Sequence, residues 1–339
     1  MLKNKLSYYA RGHTAKGMVN YWESNVKNVE DVYVFKHPSL SLTSQLFQNI
    51  MSMYDQFGQV EVVMSPFGKD FIEGIIIRDH SIAFMDDHYV SRVVNLIDFT
   101  KGMDEKLRKD LEQLEDSMKQ ICDRAYEKFE KSLIIHDTLE NLFLKEMSFQ
   151  QADEEINKTI TELFSDVQKK KGQAVLYERL FGTKTPDGTT EFVKTLIEPM
   201  QHRYFIKGRA GTGKSHFMKQ IVDQCINYRI DVELYRCSFD PDSIDMIIIR
   251  DLQLCMFDST PPHEFHPTRN EDIVIDLYNI ALTPGTDEKY AEEIQRIEKA
   301  YKQEMKEGVV KLKEIKSVQQ QIDHLLQLHV KKKSENEKH

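Results

Sequence analysis

Short runs of apolar residues recur at matching places in the two halves of the chain. In each half, two β-rich runs flank an amphipathic stretch, and a third apolar run then closes on an aspartate. The first half carries Val32–Phe35, Val60–Met64 and the run that ends at Asp86, and the second half carries Tyr204–Ile206, Val232–Tyr235 and the run that ends at Asp258. Because short apolar strands alternate with helical segments, the pattern predicts an α/β fold with parallel sheets that helices cover on both faces.

The two halves align as a tandem duplication. Tyr33-Val34-Phe35-Lys36 matches Tyr204-Phe205-Ile206-Lys207 at an offset of 171 positions, and without a gap Ser44 falls on Ser215. One extra residue downstream brings Ile75–Asp79 over Ile247–Asp251. Because these blocks keep their order over most of each half, we interpret the chain as two copies of one domain.

A charged segment with a regular apolar stripe follows each copy. The stripes are Leu107, Leu111, Leu114, Met118, Ile121, Ala125 and Phe129 after the first copy, and Ile294, Ile297, Tyr301, Met305, Val309 and Leu312 after the second. A spacing of three or four predicts long amphipathic helices. We expect the first to turn near Met147–Phe149 and the second to fray from Lys331 onwards. Packing, self-association and a partner-binding arm are all open roles for them.

This organisation predicts four segments. A first α/β domain would occupy residues 1–100, a helical hairpin 101–171, a second α/β domain 172–285, and a C-terminal helical segment with a polar tail 286–339. A length of 339 residues is consistent with two domains of ordinary size.

The strongest chemical signal is a phosphate-binding motif in the second copy, Gly208-Arg209-Ala210-Gly211-Thr212-Gly213-Lys214-Ser215, after which His216 continues into a helix. Glycines let the backbone N–H groups close around phosphates, and Lys214 would reach the β- and γ-phosphates as a point charge. Ser215 would ligate Mg²⁺, and Asp258 would hold the metal from the neighbouring strand. The motif predicts ATP or GTP and Mg²⁺ as cofactors, with Lys214 and Asp258 as the catalytic pair.

The first copy has lost this chemistry. His37, Leu40 and Leu42 stand in place of the three glycines, and Thr43 stands in place of the lysine. Only the serine and the strand-end aspartate remain, so we interpret residues 1–100 as a degenerate P-loop-like domain that binds no nucleotide. Residues 172–285 are then an intact P-loop NTPase-like domain.

Two loops beside the intact motif have a functional and a structural reading. Asp240, Asp242 and Asp245 follow the second strand, where they could orient a water or form a turn. His263 and His266 could sense the γ-phosphate or lie in a rigid proline-rich loop.

Arginines are the remaining candidates. Arg78 or Arg92 of the first copy could donate a cation to the γ-phosphate, or Arg78 could be an ordinary strand-end residue. Arg250 and Arg269 are available for the lid of a kinase, although no arginine-rich lid is evident.

Composition narrows the class of protein. The formal net charge of −9 argues against a general nucleic-acid binder, whose domains carry a basic face. Four cysteines without a CxxC pair indicate neither a disulfide framework nor a zinc site. The sequence shows no signal peptide and no apolar run of membrane-spanning length, so we expect a cytoplasmic protein without membrane partners.

The motifs together resemble a family of twin P-loop proteins from Firmicutes, which are labelled ATPase or nucleotide kinase. The resemblance rests on the loop 207–215, on Cys237-Ser238-x-Asp240-x-Asp242-Ser243-x-Asp245 and on Asp258-Ser259-Thr260-x-Pro262-His263. It covers nearly the whole chain, but members of that family usually keep a glycine-rich loop in the first half as well. The sequence therefore predicts an NTPase that couples ATP hydrolysis to a change of conformation or assembly. A nucleotide or small-molecule kinase and a non-catalytic scaffold remain alternatives.

Overall fold

The structure is a computed structural model that describes residues 5–54, 58–87, 95–261 and 264–336. The first copy alternates strands with two helices. Its elements are β1 (Lys5–Tyr8), β2 (Arg11–Thr14), β3 (Gly17–Asn20), α1 (Trp22–Asn25), β4 (Asp31–Lys36), α2 (Leu40–Tyr54), β5 (Val60–Met64), β6 (Ile72–Ile77), β7 (Ile82–Asp86) and β8 (Asn95–Asp98).

The predicted helical hairpin follows as α3 (Glu105–Leu144) and α4 (Phe149–Phe164). The turn lies at the expected place. The side chain of Ser148 accepts the N–H of Gln151 there and so caps the start of α4.

The second copy repeats the element order of the first. Its elements are β9 (Leu176–Arg179), β10 (Gly182–Thr185), β11 (Gly188–Glu191), α5 (Val193–Ile197), β12 (His202–Lys207), α6 (Lys214–Tyr228), β13 (Val232–Arg236), β14 (Ile244–Ile249), β15 (Leu254–Asp258) and β16 (Ile273–Asp276). Four helices complete the chain, α7 (Leu277–Ala281), α8 (Thr286–Lys289), α9 (Ala291–Leu312) and α10 (Ile315–Asn336). Helix α10 continues through the stretch from Lys331, where fraying was expected.

Two six-stranded sheets of matching topology confirm that the chain is an α/β protein with two sheet-containing halves. The strand orders are β1-β5-β6-β7-β4-β8 and β9-β13-β14-β15-β12-β16. Every strand of the first sheet has its counterpart at the same position of the second, as a duplication predicts.

The parallel sheets predicted from the sequence are present only in part, because each sheet is mixed. Strand β6 pairs antiparallel with both β5 and β7, and β14 does the same with β13 and β15. The physical reason is the connection between β6 and β7, which is a single turn at residues 78–81. A parallel crossover needs a dozen or more residues. A link this short therefore forces an antiparallel pair.

The chain divides into two compact units that are assembled from separate segments. The first comprises Met1–Lys128, Gly182–Phe192 and Lys306–His339, and the second comprises Phe129–Phe181 and Val193–Met305. These units group the chain differently from the four contiguous segments expected from the sequence. Helices α3 and α9 each contribute residues to both units, and the hairpin β10–β11 belongs to the first unit although its neighbours in the chain belong to the second.

In the first unit this hairpin completes a small sheet of order β11-β10-β2-β3, in which Lys184 pairs with His13. Burial lowers the pKa of His13 to about 3, so the imidazole is neutral, and its Nδ1 lies 2.8 Å from the hydroxyl of Tyr126. The structure therefore gives His13 a place in a buried core.

The core of the second unit lies between its sheet and α6. All six residues of β14 are buried, which is the near-continuous apolar pattern of a strand covered on both faces. From α6, Phe217, Ile221 and Cys225 pack into the same core. This packing holds the start of α6 against the carboxyl ends of the strands, where the glycine-rich loop lies. In the described part of the chain, no helix combines the length and apolarity needed to cross a bilayer.

Candidate functional site at the glycine-rich loop

The loop between β12 and α6 depends on its glycines for its shape. Gly211 and Gly213 have φ angles of +76° and +84°, a region that only glycine adopts without strain. A Cβ atom on Gly208 would collide with the side chain of Thr212. The three glycines of the motif are thus required by the backbone itself.

Several backbone N–H groups of the loop and of the first turn of α6 have no acceptor among the described residues. Thr212 donates its N–H to the carbonyl of Arg209, and Phe217 donates to the carbonyl of Gly213. Five other backbone N–H groups have no acceptor among the described residues, namely those of Gly211, Gly213, Lys214, Ser215 and His216. Unpaired donors at the start of a helix favour an anion.

Lys214 begins α6 and folds back over this loop. Its Nζ donates to the carbonyl oxygens of Arg209, at 2.8 Å, and Gly208, at 3.2 Å. The same Nζ lies 3.5 Å from a carboxylate oxygen of Asp258. The structure therefore brings together the loop, the lysine and the strand-end aspartate, all three of which the sequence singled out.

Ser215 and Asp258 supply the hard oxygen atoms that Mg²⁺ prefers. Asp258 lies at the end of β15, next to Ile206 in the parallel pair with β12, and accepts a hydrogen bond from the hydroxyl of Thr260. The hydroxyl oxygen of Ser215 accepts the N–H of Ile244 at 2.9 Å, which leaves one lone pair for a cation. The donor set fits a magnesium ion.

Arg209, the second residue of the motif, points away from the loop towards the helices that follow β16. Its guanidinium donates to the carboxylate of Asp287, lies 3.8 Å from Glu298, and sits over the ring of Phe143. Hydrogen bonding to Asp287 raises the pKa of Arg209. This side chain ties the loop to α8 and α9.

The sequence analysis missed the contribution of α3. A Cβ on Gly211 would lie 2.9 Å from both Cγ and the carbonyl oxygen of Glu140, and one on Gly213 would lie 3.2 Å from the methyl group of Met147. The end of α3 therefore packs directly on the glycine-rich loop. Nothing in the apolar stripe of α3 indicated which side chain would face the motif.

Ligand atoms of His136, Asp137 and Glu140 lie within 4.8 Å of one another on this part of α3. The spacing i, i+4 between His136 and Glu140 is the one signal in the sequence that could have drawn attention to them. Burial raises the pKa of Glu140, Asp137 and Asp240 raise it further, and Lys214 lowers it. Burial lowers the pKa of His136.

The acidic loop after β13 has the structural role that the sequence left open. The carboxylate of Asp240 accepts hydrogen bonds from the N–H of Asp242 and the hydroxyl of Ser243, an Asx-type turn. Asp245 is buried within β14. Of the two histidines, His266 is exposed, and His263 lies outside the described residues.

The corresponding loop of the first unit has a different structure. Helix α2 begins at Leu40, three residues earlier than the alignment with α6 would place it, and the Ser39 hydroxyl caps it by accepting the N–H of Leu42. Positions that match Gly211 and Gly213 thus lie in the first turn of the helix. Asp323 of α10 accepts hydrogen bonds from the hydroxyls of Ser39 and Ser41. A carboxylate of the chain itself lies at this helix start.

The candidate arginines are held by other groups. Arg78 donates to the carboxylate of Glu61, and Arg250 donates to that of Glu233. Arg269 donates to the carbonyl oxygens of Met200 and Glu198. Arg92 lies outside the described residues. In these positions, Arg78, Arg250 and Arg269 serve structural hydrogen bonds.

Comparison with protein-family models, with curated proteins and with solved structures finds no match to this chain. The resemblance to twin P-loop proteins therefore stays a prediction, and any function must be argued from the residues of the site.

Proposed function

We propose that the second unit binds a nucleoside triphosphate with Mg²⁺ at the loop Gly208–Ser215 and hydrolyses it. The observation that carries the proposal is the position of Lys214 among loop carbonyls and beside Asp258. An ammonium group that lies near three oxygen atoms, in a loop with unpaired backbone N–H donors, is suited to a polyphosphate, which would offer stronger acceptors than carbonyls.

Each residue has a role in this proposal. The N–H groups of the loop and of the first turn of α6 would bind the β-phosphate, while Lys214 would neutralise charge that develops on the leaving phosphate. Ser215 and Asp258 would hold Mg²⁺, which supplies Lewis-acid stabilisation of phosphate charge. Asp258 also keeps Lys214 in place before phosphates arrive.

Two features favour hydrolysis over transfer to an acceptor. Arg250 and Arg269, the residues available for a kinase lid, are engaged by Glu233 and by two carbonyl oxygens. Arg209 links the loop to Asp287 and Glu298 on the following helices, a route by which occupancy of the loop would change their packing. We therefore prefer a nucleotide-driven change of conformation to a kinase or an inert scaffold.

The test uses the full chain and γ-labelled ATP and GTP with Mg²⁺. We expect release of labelled inorganic phosphate, one bound nucleotide per chain by calorimetry, and no labelled nucleoside product when a nucleoside panel is added. Transfer of the label to a nucleoside would establish a kinase instead. A chain that binds neither nucleotide would refute the proposal.

A further inference from the structure

Three metal-ligating side chains converge on α3. A ring nitrogen of His136 and one carboxylate oxygen each of Asp137 and Glu140 all lie within 4.8 Å of one another. Around a bound Zn²⁺, with ligand distances of about 2.1 Å, such atoms would lie roughly 3–4 Å apart. Spacings of three and four residues along a helix are also those at which carboxylates and imidazoles reach a common metal. Small side-chain rotations would therefore bring all three atoms onto one ion.

The three side chains meet as acceptors, without a donor between them. Within the described part of the chain, none of the three forms a hydrogen bond or an ion pair. Burial raises the pKa of Glu140, and the charges of Asp137 and Asp240 raise it further. Two carboxylates at this distance repel each other, and a cation between them removes the repulsion. The arrangement therefore favours a positive ion.

His136 is suited to bind a metal at neutral pH. Burial lowers the pKa of its imidazole below the usual 6.5, so the ring is uncharged and keeps a free lone pair. The ring stands nearly at right angles to those of Phe239 and Tyr301, with centroids 5.5 and 5.4 Å away. These two contacts restrict the ring to few orientations before an ion arrives.

The helix that carries the ligands is firmly held. Its neighbouring face is buried in an apolar cluster that consists of Leu139, Leu142, Phe143, Leu282, Ile294 and Ile297. His136 and Glu140 are half-buried beside this face, and Asp137 is exposed. A rigid helix reduces the entropy lost when ligands are ordered, and the exposed side leaves room for water to complete the coordination.

We propose that His136, Asp137 and Glu140 form a binding site for a divalent transition-metal ion of the Zn²⁺ type. One nitrogen and two oxygen ligands suit Zn²⁺ and Co²⁺, whereas Mg²⁺ prefers oxygen ligands alone. The site shares no ligand with Ser215 and Asp258, so it does not depend on the proposed nucleotide function. The bound ion neutralises the two carboxylates and joins adjacent turns of α3.

The test titrates Zn²⁺ into the full chain, without nucleotide, by calorimetry. We expect one site that weakens about tenfold or more in His136→Ala and in Asp137→Asn, since even the outer partners of a metal site contribute that much. Because Asp137 is exposed, its variant keeps the test valid if His136→Ala fails to fold. His202→Ala removes an exposed histidine and is the matched control, which should bind as wild type does.

Co²⁺ gives a direct readout of the ligands. The visible absorption of bound Co²⁺ should be lost or changed in both variants, and excess Mg²⁺ should not displace the ion from wild type. Displacement by Mg²⁺, or equal Zn²⁺ affinity in wild type and both variants, would show an ion bound at other side chains and would overturn the site. The absence of Zn²⁺ binding to wild type would overturn it as well. Because these titrations contain no nucleotide, a failure to bind or hydrolyse ATP would leave their result unchanged.

Discussion

The loops that precede α2 and α6 show how one repeat was built in two ways. In the second unit, Gly211 and Gly213 have positive φ, and α6 begins only at Lys214. In the first unit, the residues at these positions are leucines, which favour a helix, and α2 simply starts three residues earlier. Two glycines in place of two leucines thus accompany an open loop before α6, where the first unit has an extra helical turn at the start of α2.

Both loops share a serine, Ser44 or Ser215, that makes the same contact in each unit. Ser44 accepts the N–H of Ile72 at 3.0 Å, just as Ser215 accepts that of Ile244. In both copies the serine satisfies a buried donor at the start of the next but one strand, β6 or β14. It is therefore a structural residue in both units, and the proposed function gives only Ser215 the additional role of holding Mg²⁺.

Glu233 of the second unit and Glu61 of the first are paired with different groups. Removing the Glu233 carboxylate should have the largest effect on stability. Burial alone would raise the pKa of Glu233, but Arg179 and Arg250 hold it at about 2. In the first unit, Glu61 accepts from Arg78 and from the hydroxyl of Tyr8. We expect Glu233→Gln to lower the free energy of unfolding by about 3–5 kcal/mol, because it leaves the buried guanidinium of Arg179 and the partly exposed guanidinium of Arg250 without their carboxylate.

Glu61→Gln leaves a single, partly exposed guanidinium, that of Arg78, without its carboxylate and should cost roughly half as much. The carboxylate of Glu233 also sets a pH dependence. Because its folded pKa is below its ordinary value of 4.5, its contribution is complete above that pH and is lost as the pH falls towards about 2. Denaturant titrations at pH 7 and between pH 4.5 and 2 measure both effects; equal losses for the two variants would contradict this account.

Lys214 distinguishes the two loops chemically, since Thr43 stands at its position in the first unit. We expect Lys214→Ala to weaken nucleotide binding about 100-fold or more, because a charge-assisted contact to phosphate is lost. Calorimetry is the readout. Lys219→Ala on the exposed side of α6 is the matched control and should bind normally; a parallel loss there would point to a general charge effect.

The shared serines offer a finer comparison. Ser44→Ala and Ser215→Ala should each cost about 1–3 kcal/mol, because each leaves a buried N–H without an acceptor. Hydrogen exchange at Ile72 and Ile244 reports the local effect in each unit. Only Ser215→Ala should also weaken Mg²⁺-dependent nucleotide binding, so a change of nucleotide affinity in Ser44→Ala would argue against two separate roles.

The smallest expected effect is that of Thr43→Lys, which should not create a second nucleotide site. The lysine would stand within the first turns of α2, behind two leucines and close to the serines that hold Asp323. The stoichiometry from calorimetry should remain one nucleotide per chain. Two nucleotides bound to the variant, or to wild type, would show that the first loop still accepts phosphates.

The sequence by itself determined the duplication, three strands of each half, the long helices, and the residues of the candidate loop. These follow from local rules, because apolar runs, helical spacing and glycines with lysine at fixed intervals act within a few residues of one another. The turn at Ser148 and the start of α6 after Gly213 lie where those rules predict.

Tertiary structure alone decided the direction of β6, the place of the hairpin β10–β11 in the first unit, and the approach of Glu140 to Gly211. Each of these joins residues that are far apart along the chain or depends on which strands become neighbours. An amphipathic stripe shows which face of α3 is buried, but it contains no information about which loop that face will meet. The partners of Arg209 and Asp323 were hidden for the same reason, since a charged side chain finds its counterpart only when the fold brings the two together.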